Sequence, residues 1–258
     1  MSDVPTREPM QTNEYATMFR VEETHWWYGA LHRLIFQTLE SDLPDWRDKK
    51  ILDVGCGTGA ILKQLGNPDK NVGIDLALEA ISFCQERGLN NVRQGDIGAL
   101  PFADASFNAV ICSSVLYHQW VGDIEGAVRE MHRVLRPGGV MLINVPAFPF
   151  LRSAHDEAVM TARRFRKAEI RQLLLAQSFE IRRLTYWTTF LFPLAVVART
   201  LRGSKMGRDF ESAANSFTNR FFSQIMTIEL ELLKKISLPF GVALLAVARK
   251  TGRLSANW

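Results

Sequence analysis

The fold of this chain is decided by the stretch Ile51–Gly59, which reads ILDVGCGTG. Its first four residues are typical of a buried strand, three glycines follow at alternate positions, and a helical pattern continues to Leu65. Glycines permit a tight turn and a close approach of the backbone to a ligand. The helix after such a turn presents unpaired N–H groups to an anionic group. The stretch therefore predicts a strand–turn–helix unit that binds a ligand, although dinucleotide-binding enzymes use a similar turn.

Outward from this loop, the hydrophobic pattern alternates between strands and helices. Further strands are predicted at 71–75, 92–96, 109–113 and 140–145, with helices at 60–65, 78–87 and 124–135 between them. This alternation is typical of βαβ units and predicts a parallel sheet covered by helices on both faces. Beyond residue 150 we expect a helix at 167–177, strands at 179–188 and 242–248, and helical stretches at 193–201 and 215–235. Before the loop, residues 14–39 follow a helical pattern that contains the aromatic run 25–28.

Two aspartates follow the glycine loop at the ends of the second and third predicted strands. Asp75 comes twenty residues after Gly55, where a carboxylate can accept hydrogen bonds from both hydroxyls of a ribose. Asp96 comes twenty-one residues after Asp75, where a carboxylate can accept hydrogen bonds from the amino group of an adenine. A carboxylate on the adenine side does not belong to the usual dinucleotide-binding pattern. The predicted ligand therefore has a ribose, an adenine and a small carboxylate, and it needs no pyrophosphate.

Five motifs resemble, in order, those of class I S-adenosylmethionine-dependent methyltransferases. They are ILDVGCGTG at 51–59, GID at 73–75, GD at 95–96 with LPF at 100–102, SF at 106–107 and LRPGG at 135–139. The resemblance covers roughly residues 48–145 and departs from the family at Asn108, where an aspartate is usual. It implies a Rossmann-like α/β fold with a seven-stranded, mostly parallel sheet, an antiparallel last strand and helices on both faces. We accordingly expect a helical N-terminal lid at 1–45, a core at 46–189 and 236–258, and a helical insertion between strands six and seven that forms a cap at 190–235.

The resemblance also implies that S-adenosylmethionine is the methyl donor and that S-adenosylhomocysteine is the product. The three glycines would line the methionine end, and Asp53 would orient the methionine amino group through water. Asp75 would hold the ribose, and Asp96 with the residue after it would hold the adenine. Tyr28, just before a helix that commonly forms a lid in this family, is an expected cofactor neighbour. The predicted cofactor-binding residues are Tyr28, Asp53, Gly55, Cys56, Gly57, Gly59, Asp75, Leu76, Asp96, Ile97 and Ser113.

The methyl acceptor is expected beyond strands four and five, because ligands of open parallel sheets lie at the carboxyl ends of the strands. His118 follows strand four, and His155 with Asp156 follows strand five. A histidine can remove a proton from an acceptor because its pKa lies near neutrality, and Asp156 could orient His155 or act as the base itself. We therefore predict His118, His155 and Asp156 as catalytic residues, with transfer by proximity alone as the alternative. The sequence around His155 resembles bacterial methyltransferases of small-molecule, glycan or natural-product pathways.

Composition places the chain among globular proteins, with 258 residues of which 47% are hydrophobic and 22% charged. The net charge of +4 is small for a dedicated nucleic-acid binder, so no nucleic-acid partner is expected. The scattered cysteines Cys56, Cys84 and Cys112 predict neither a zinc site nor a disulfide. We expect a cytoplasmic location, because the N-terminal residues show no apolar signal-peptide core and no segment has 18 uncharged apolar residues.

Positive charge is concentrated in residues 152–209, which contain 12 Lys and Arg against 5 Asp and Glu. The densest part is 163–167, and an apolar, aromatic run follows at 186–192. A basic patch beside an apolar stretch suits an anionic, hydrophobic acceptor or a membrane surface that carries it. A run of charges also commonly marks a solvated helix face. Peripheral membrane contact and a homodimer contact through the cap therefore stay open.

Three functions are compatible with these residues. The favoured one is methyl transfer to oxygen or nitrogen of a small or medium organic acceptor, which the cofactor motifs indicate. The second is an NAD-dependent oxidoreductase, because Ala60 stands where the dinucleotide-binding pattern tolerates alanine, although Asp96 speaks against it. The third is a partner protein that binds the cofactor without catalysis.

Overall fold

The computed structural model describes residues 12–152, 156, 160–201 and 216–252. Within these residues seven strands form one sheet: β1 Ile51–Val54, β2 Val72–Asp75, β3 Val92–Gln94, β4 Phe107–Ser113, β5 Leu135–Pro146, β6 Phe179–Trp187 and β7 Ala243–Lys250. Their order across the sheet is β3-β2-β1-β4-β5-β7-β6. Neighbours are parallel except at β7, which runs antiparallel to both β5 and β6. The predicted seven-stranded, mostly parallel sheet with an antiparallel last strand is confirmed.

Eight α-helices accompany the sheet in the described residues. They are α1 Thr12–Val21, α2 Trp26–Asp42, α3 Ala60–Leu65, α4 Leu78–Glu86, α5 Ile124–Val134, α6 Lys167–Ala176, α7 Phe192–Leu201 and α8 Ser216–Leu233. Helices lie on both faces of the sheet because successive strand residues point to opposite sides. In β4, Val110 packs in the apolar cluster that α5 and α6 complete, whereas Ile111 packs in the cluster that α2 and α8 complete. Both side chains are fully buried, which explains the uninterrupted apolar pattern of this strand.

The single helical pattern predicted at 14–39 is two helices in the structure. The chain turns at 22–25, and the Nδ1 atom of His25 then accepts a hydrogen bond of 3.2 Å from the N–H of Trp27. This bond satisfies a free N–H group at the start of α2, so His25 acts as its N-cap. Because of the break, α1 packs against α4 while α2 packs against α8.

The fifth strand begins earlier than the sequence predicts. It was expected from residue 140, but β5 starts at Leu135, directly after α5. Leu135 pairs with Phe107, and the register then shifts so that Val140 pairs with Ala109. The extra residues include Gly138, whose φ of +77° is tolerated by glycine. The segment at 136–139 is therefore an irregularity inside the strand pairing rather than a simple helix stop.

The helical insertion between β6 and β7 is tied to the N-terminal helices through Asn219 in α8. Its Oδ1 atom accepts a hydrogen bond of 2.7 Å from the N–H of Trp26, and its Nδ2 atom donates one of 2.9 Å to the carbonyl of Thr24. None of the described helices is long and apolar enough to cross a membrane. The division of the chain into lid, core and cap stays a prediction, as does its location in the cell.

Candidate active site

A cavity of about 400 Å³ lies at the carboxyl ends of β1, β2, β4 and β5. Val54, Asp75, Ser113 and Pro146, each at the end of its strand, all line it. The strand order reverses between β1 and β4, and open α/β sheets bind their ligands at such a reversal. The topology therefore gathers the ends of four strands around one ligand-sized space.

The glycine loop forms one wall of this cavity through Gly55, Cys56 and Gly57. Gly57 has a φ of +54°, and a Cβ atom added to it would lie 2.8 Å from the Cε atom of Met18 in α1. A side chain at this position would be strained by the backbone conformation and would displace the end of the Met18 side chain. Gly59, the residue directly before α3, instead packs against Leu89 and does not line the cavity. Of the three predicted glycines, the structure brings Gly55 and Gly57 to the cavity wall.

Asp75 braces the loop and also lies on the cavity wall. One carboxylate oxygen accepts a hydrogen bond of 2.9 Å from the N–H of Gly57, and the other accepts one of 3.0 Å from the N–H of Ala77. Burial raises the pKa of Asp75, while these backbone hydrogen bonds lower it. Each carboxylate oxygen has a second lone pair, so both oxygens can still accept hydrogen bonds from a ribose.

Residues that follow β2 and β3 form another part of the cavity wall. Leu76, Asp96 and Ile97 all line the cavity there. The Oδ1 atom of Asp96 accepts a hydrogen bond of 2.8 Å from the N–H of Gly98, which holds the carboxylate in place beside the two apolar side chains. Apolar walls with one fixed carboxylate suit an adenine ring with an amino group at its edge.

Asp53 lies beneath the loop and is 1% exposed. Burial, followed by the nearby carboxylates Asp75 and Glu22, raises the pKa of Asp53 to about 7. Its Oδ2 atom has no hydrogen-bond partner among the described residues, which is unusual for a buried carboxyl oxygen. A donor from a bound ligand or water would satisfy this atom, so the residues beneath and around the loop fit a cofactor that carries an amino group.

The N-terminal helix α1 is fastened over this part of the cavity by a buried ionic cluster. Glu22, just after α1, bonds to the hydroxyl of Thr58 and forms an ion pair of 2.5 Å with Arg87. Arg87 also donates from Nε to the carbonyl of Thr58 at 2.9 Å and pairs with Glu23. The Glu22 and Arg87 side chains are 6% and 4% exposed. The cluster, which we call the Glu22–Arg87 latch, joins α1 to the glycine loop and to the end of α4.

The acceptor side of the cavity is lined by His118 and Asp156, whereas His155 lies outside the described residues. The ring of His118 stacks on Trp120 with centroids 3.9 Å apart, and its Nε2 atom lies 3.0 Å from the carbonyl oxygen of Ser114. A carbonyl oxygen only accepts, so Nε2 carries the hydrogen and Nδ1 is the basic nitrogen. This Nδ1 atom is itself buried, and the catalytic role of His118 stays a prediction.

Asp156 forms a buried ion pair with Arg164. Its two oxygens lie 2.8 and 3.0 Å from Nη2 of Arg164, and Nη1 donates to the carbonyl of Ala147 at 3.2 Å. Both side chains of this pair are about 4% exposed or less. The guanidinium therefore engages both carboxylate oxygens of Asp156. The geometry therefore favours Asp156 as an orienting group, and its predicted role as a base stays a prediction.

The basic run at 163–167 is not one solvated face, as the sequence pattern alone suggests. Arg163 and Arg166 are exposed or nearly so, whereas Arg164 is buried and lines the cavity. Its burial is possible because Asp156, eight residues earlier, supplies the opposite charge. The sequence offers no local signal for this difference between neighbouring arginines.

All four residues of the aromatic run at 25–28 line the cavity, and Trp26 also belongs to the apolar core. Trp26 is buried in the core, while the ring of Trp27 stacks on Trp187 with centroids 5.9 Å apart. Trp187 donates from Nε1 to Oδ1 of Asn144 at 2.8 Å, which anchors the stack to β5. Tyr28 lines the cavity, as does Ser113, whose hydroxyl has no partner among the described residues.

Several cavity residues were not predicted from the sequence. They are Tyr15, Met18, Glu22, His32, Tyr117, Trp120, Arg164 and Thr188. The first three recur at helical spacing, which could have indicated that one face of α1 covers the site. The others are contributed by distant segments, and only their packing brings them to the cavity.

Comparisons with known proteins agree with this geometry. Residues 52–143 match a family model described as a methyltransferase domain. A malonyl-[acyl-carrier protein] O-methyltransferase of Erwinia billingiae is 35% identical over 127 residues, which cover 48% of this chain and 50% of that protein. A fatty-acid O-methyltransferase of Mycolicibacterium smegmatis is 40% identical over 107 residues, covering 38% of this chain and 37% of that protein. The chain thus spans about half the length, or less, of these two curated relatives.

The fold extends the similarity over nearly the whole chain. A solved structure of an S-adenosylmethionine-dependent methyltransferase from Thermotoga maritima aligns with a TM-score of 0.59 at 18% identity, covering 93% of this chain and 95% of that one. These findings favour the methyltransferase alternative over the NAD-dependent oxidoreductase, and they identify S-adenosylmethionine as the cofactor. The matching domain at residues 52–143, the sheet order and the glycine loop support a class I S-adenosylmethionine-dependent methyltransferase family for this chain.

Proposed function

We propose that this chain transfers the methyl group of S-adenosylmethionine to an oxygen of a small acyl acceptor that has an apolar body and a carboxylate. The observation that carries the proposal is one continuous cavity that joins the glycine loop, Asp75 and Asp96 to a second region around His118 and Arg164. Such a cavity can hold a methyl donor and an acceptor at once. Methyl transfer requires the acceptor oxygen, the methyl carbon and the sulfur to lie in line.

In this proposal the cofactor end follows from the hydrogen-bonding groups on the wall. Asp75 accepts from the ribose, Asp96 accepts from the adenine amino group between Leu76 and Ile97, and the loop lines the methionine end. Asp53 lies behind this wall with its Oδ2 unpartnered among the described residues, and it accepts from the amino group through water. The bound cofactor supplies an electrophilic methyl group on a positively charged sulfur.

The choice of oxygen rests on the relatives and on the acceptor region. The two curated relatives are named O-methyltransferases of a malonyl thioester and of a fatty acid. A carboxylate oxygen is already ionised at neutral pH, so it can attack the methyl group without a general base. This suits a site in which Asp156 is held by Arg164. His118 then orients the acceptor, whereas an acceptor with a hydroxyl would use Nδ1 of His118, or His155, as the base.

The apolar character of the acceptor is supported by the rest of the wall. Trp120, Leu191, Ala195 and Val242 line the cavity, and they come from three different segments of the chain. Apolar side chains around a few polar groups are typical of sites for small organic ligands. The acceptor body would lie against these residues and exclude water from the reacting atoms.

The test uses the purified chain and S-adenosylmethionine labelled in the methyl group. Decanoate, a malonyl thioester, a long-chain alcohol and an amine are offered as acceptors. We expect label in a base-labile ester with decanoate or the malonyl thioester, and protection from thermal unfolding by S-adenosylhomocysteine but not by NADH. Label in the alcohol or amine alone would contradict the carboxylate proposal. Binding of S-adenosylhomocysteine without label transfer to any acceptor would favour the non-catalytic alternative.

A further inference from the structure

His32 is a buried cavity residue that the proposed function leaves without a role. It lies in α2, is 6% exposed, and lines the cavity with Tyr28, one turn earlier in the same helix. Their ring centroids are 6.4 Å apart. A buried histidine on a ligand site calls for an account of both ring nitrogens, since each is a donor or an acceptor.

The tautomer of His32 is set by Gln64 in α3. The Nε2 amide nitrogen of Gln64 lies 2.8 Å from Nδ1 of His32. An amide nitrogen can only donate, so Nδ1 accepts this hydrogen bond and the ring hydrogen resides on Nε2. Among the described residues His32 makes no second hydrogen bond, so its Nε2–H group is the polar group that it can offer to a ligand in the cavity.

The surroundings keep His32 neutral. Burial, and then the positive charge of Arg87, lower the pKa of His32 to about 4, against the opposing effect of Glu23. The ring is therefore an uncharged donor at neutral pH, and such a donor can hydrogen-bond to an anionic ligand group.

The position of His32 indicates which part of the cofactor it can contact. Gln64, its partner, lies in α3, which begins directly after the glycine loop, and Cys56 and Gly57 of the loop and Ile61 of this helix line the same cavity. Asp75 and Asp96 take the ribose and adenine in the proposed function, so the loop end is left for the methionine part. That part carries one anion, its carboxylate.

We propose that His32 binds the methionine carboxylate of the cofactor through Nε2–H, and that Gln64 is the positioning residue that fixes the required tautomer. The proposal rests on the proposed cofactor site. His32 and Asp53 have different roles in this proposal. The carboxylate of Asp53 accepts a hydrogen bond from the methionine amino group through water, whereas Nε2–H of His32 donates one to the methionine carboxylate.

The test compares two ligands that differ at the amino acid part. S-adenosylhomocysteine has the carboxylate, whereas 5′-methylthioadenosine has the same nucleoside and thioether without it. We expect His32→Phe, which keeps a ring of similar size, to weaken S-adenosylhomocysteine binding by about 10-fold to 100-fold in calorimetry, as for a lost hydrogen bond to a charged group. Its affinity for 5′-methylthioadenosine should stay within about two-fold of wild type. Gln64→Leu should show the same selective effect at smaller size.

The controls separate this inference from the proposed function and from misfolding. Arg33→Met alters the adjacent residue, whose side chain bonds to Thr227 in α8, and should leave both affinities unchanged. His32→Gln retains an amide donor and should recover part of the lost affinity. An equal loss for both ligands in His32→Phe, or no loss for either, would overturn the role of His32. Failure of both ligands to bind the wild-type chain would instead contradict the cofactor site itself.

Discussion

Replacing Arg87 by methionine should detach α1 from the glycine loop without unfolding the rest of the chain. The guanidinium bridges Glu22 and Glu23 and donates to the carbonyl of Thr58, so a single substitution removes every ionic link of the Glu22–Arg87 latch to α4. Methionine is close in length and can keep the contact that the arginine makes over the ring of Phe19. The loss is therefore mainly electrostatic.

The magnitude follows from burial. Glu22 and Arg87 are both almost completely buried, and removing one partner of such a pair costs about 3–5 kcal/mol because the other charge is left without compensation. Burial already raises the pKa of Glu22, so part of the cost is relieved when Glu22 takes up a proton. We expect this cost to appear as detachment of α1, because the latch holds this helix to the loop. Affinity for S-adenosylhomocysteine should then fall by at least 10-fold.

The assay combines hydrogen exchange with ligand binding. Amides of α1 should lose protection in Arg87→Met, while amides of β1 and β4 keep theirs. The double variant Glu22→Gln with Arg87→Met should recover part of the loss, because no buried charge remains unpaired. The control is Lys63→Met, which removes a 2.9 Å pair with Glu23 whose members are 52% and 51% exposed, and which should cost no more than about 0.5 kcal/mol. Unchanged α1 protection and unchanged affinity in Arg87→Met would refute the latch.

Three further predictions concern the cofactor end of the cavity. Asp75→Ala and Asp96→Ala should each weaken S-adenosylhomocysteine binding without unfolding the protein, and unchanged affinity in both by calorimetry would contradict the site. Asp53, whose pKa is raised to about 7, binds an amino group best when ionised, so affinity should rise from pH 6 to pH 8 in wild type and stay flat in Asp53→Asn. The free energy of unfolding should change in the opposite sense, because a raised carboxyl pKa gives stability that is lost as the pH rises from about 4 to about 7. Chemical denaturation at each pH should show this loss in wild type and not in Asp53→Asn. Gly57→Ala should lower cofactor affinity by about 10-fold, because the φ of +54° disfavours alanine and the added methyl displaces the end of the Met18 side chain on the cavity wall. An unaltered titration would show that the loop accommodates alanine.

Much of the fold could be predicted because its signals are local. Fewer than twenty neighbouring residues are enough to recognise a strand of β-branched and aliphatic residues, a run of alternate glycines or a capped helix. The positions of Asp75 and Asp96 could be predicted too. Both follow strands of βαβ units, and the carboxyl ends of parallel strands lie at the same edge of the sheet. The early start of β5 could not, since it depends on how Leu135 pairs with Phe107 on a neighbouring strand.

Local sequence patterns are sufficient to predict the sheet, the glycine loop and the two carboxylates that we propose for the ribose and the adenine. The buried charges depend instead on tertiary packing, which joins Glu22 to Arg87 across 65 residues and turns Arg164 inward beside Asp156. Tertiary packing also places His32, a residue without any motif, on the cavity wall with its tautomer set by Gln64. The physical reason is that backbone patterns depend on neighbours in the chain, whereas the burial and pairing of a polar side chain depend on partners that only folding brings within hydrogen-bond distance.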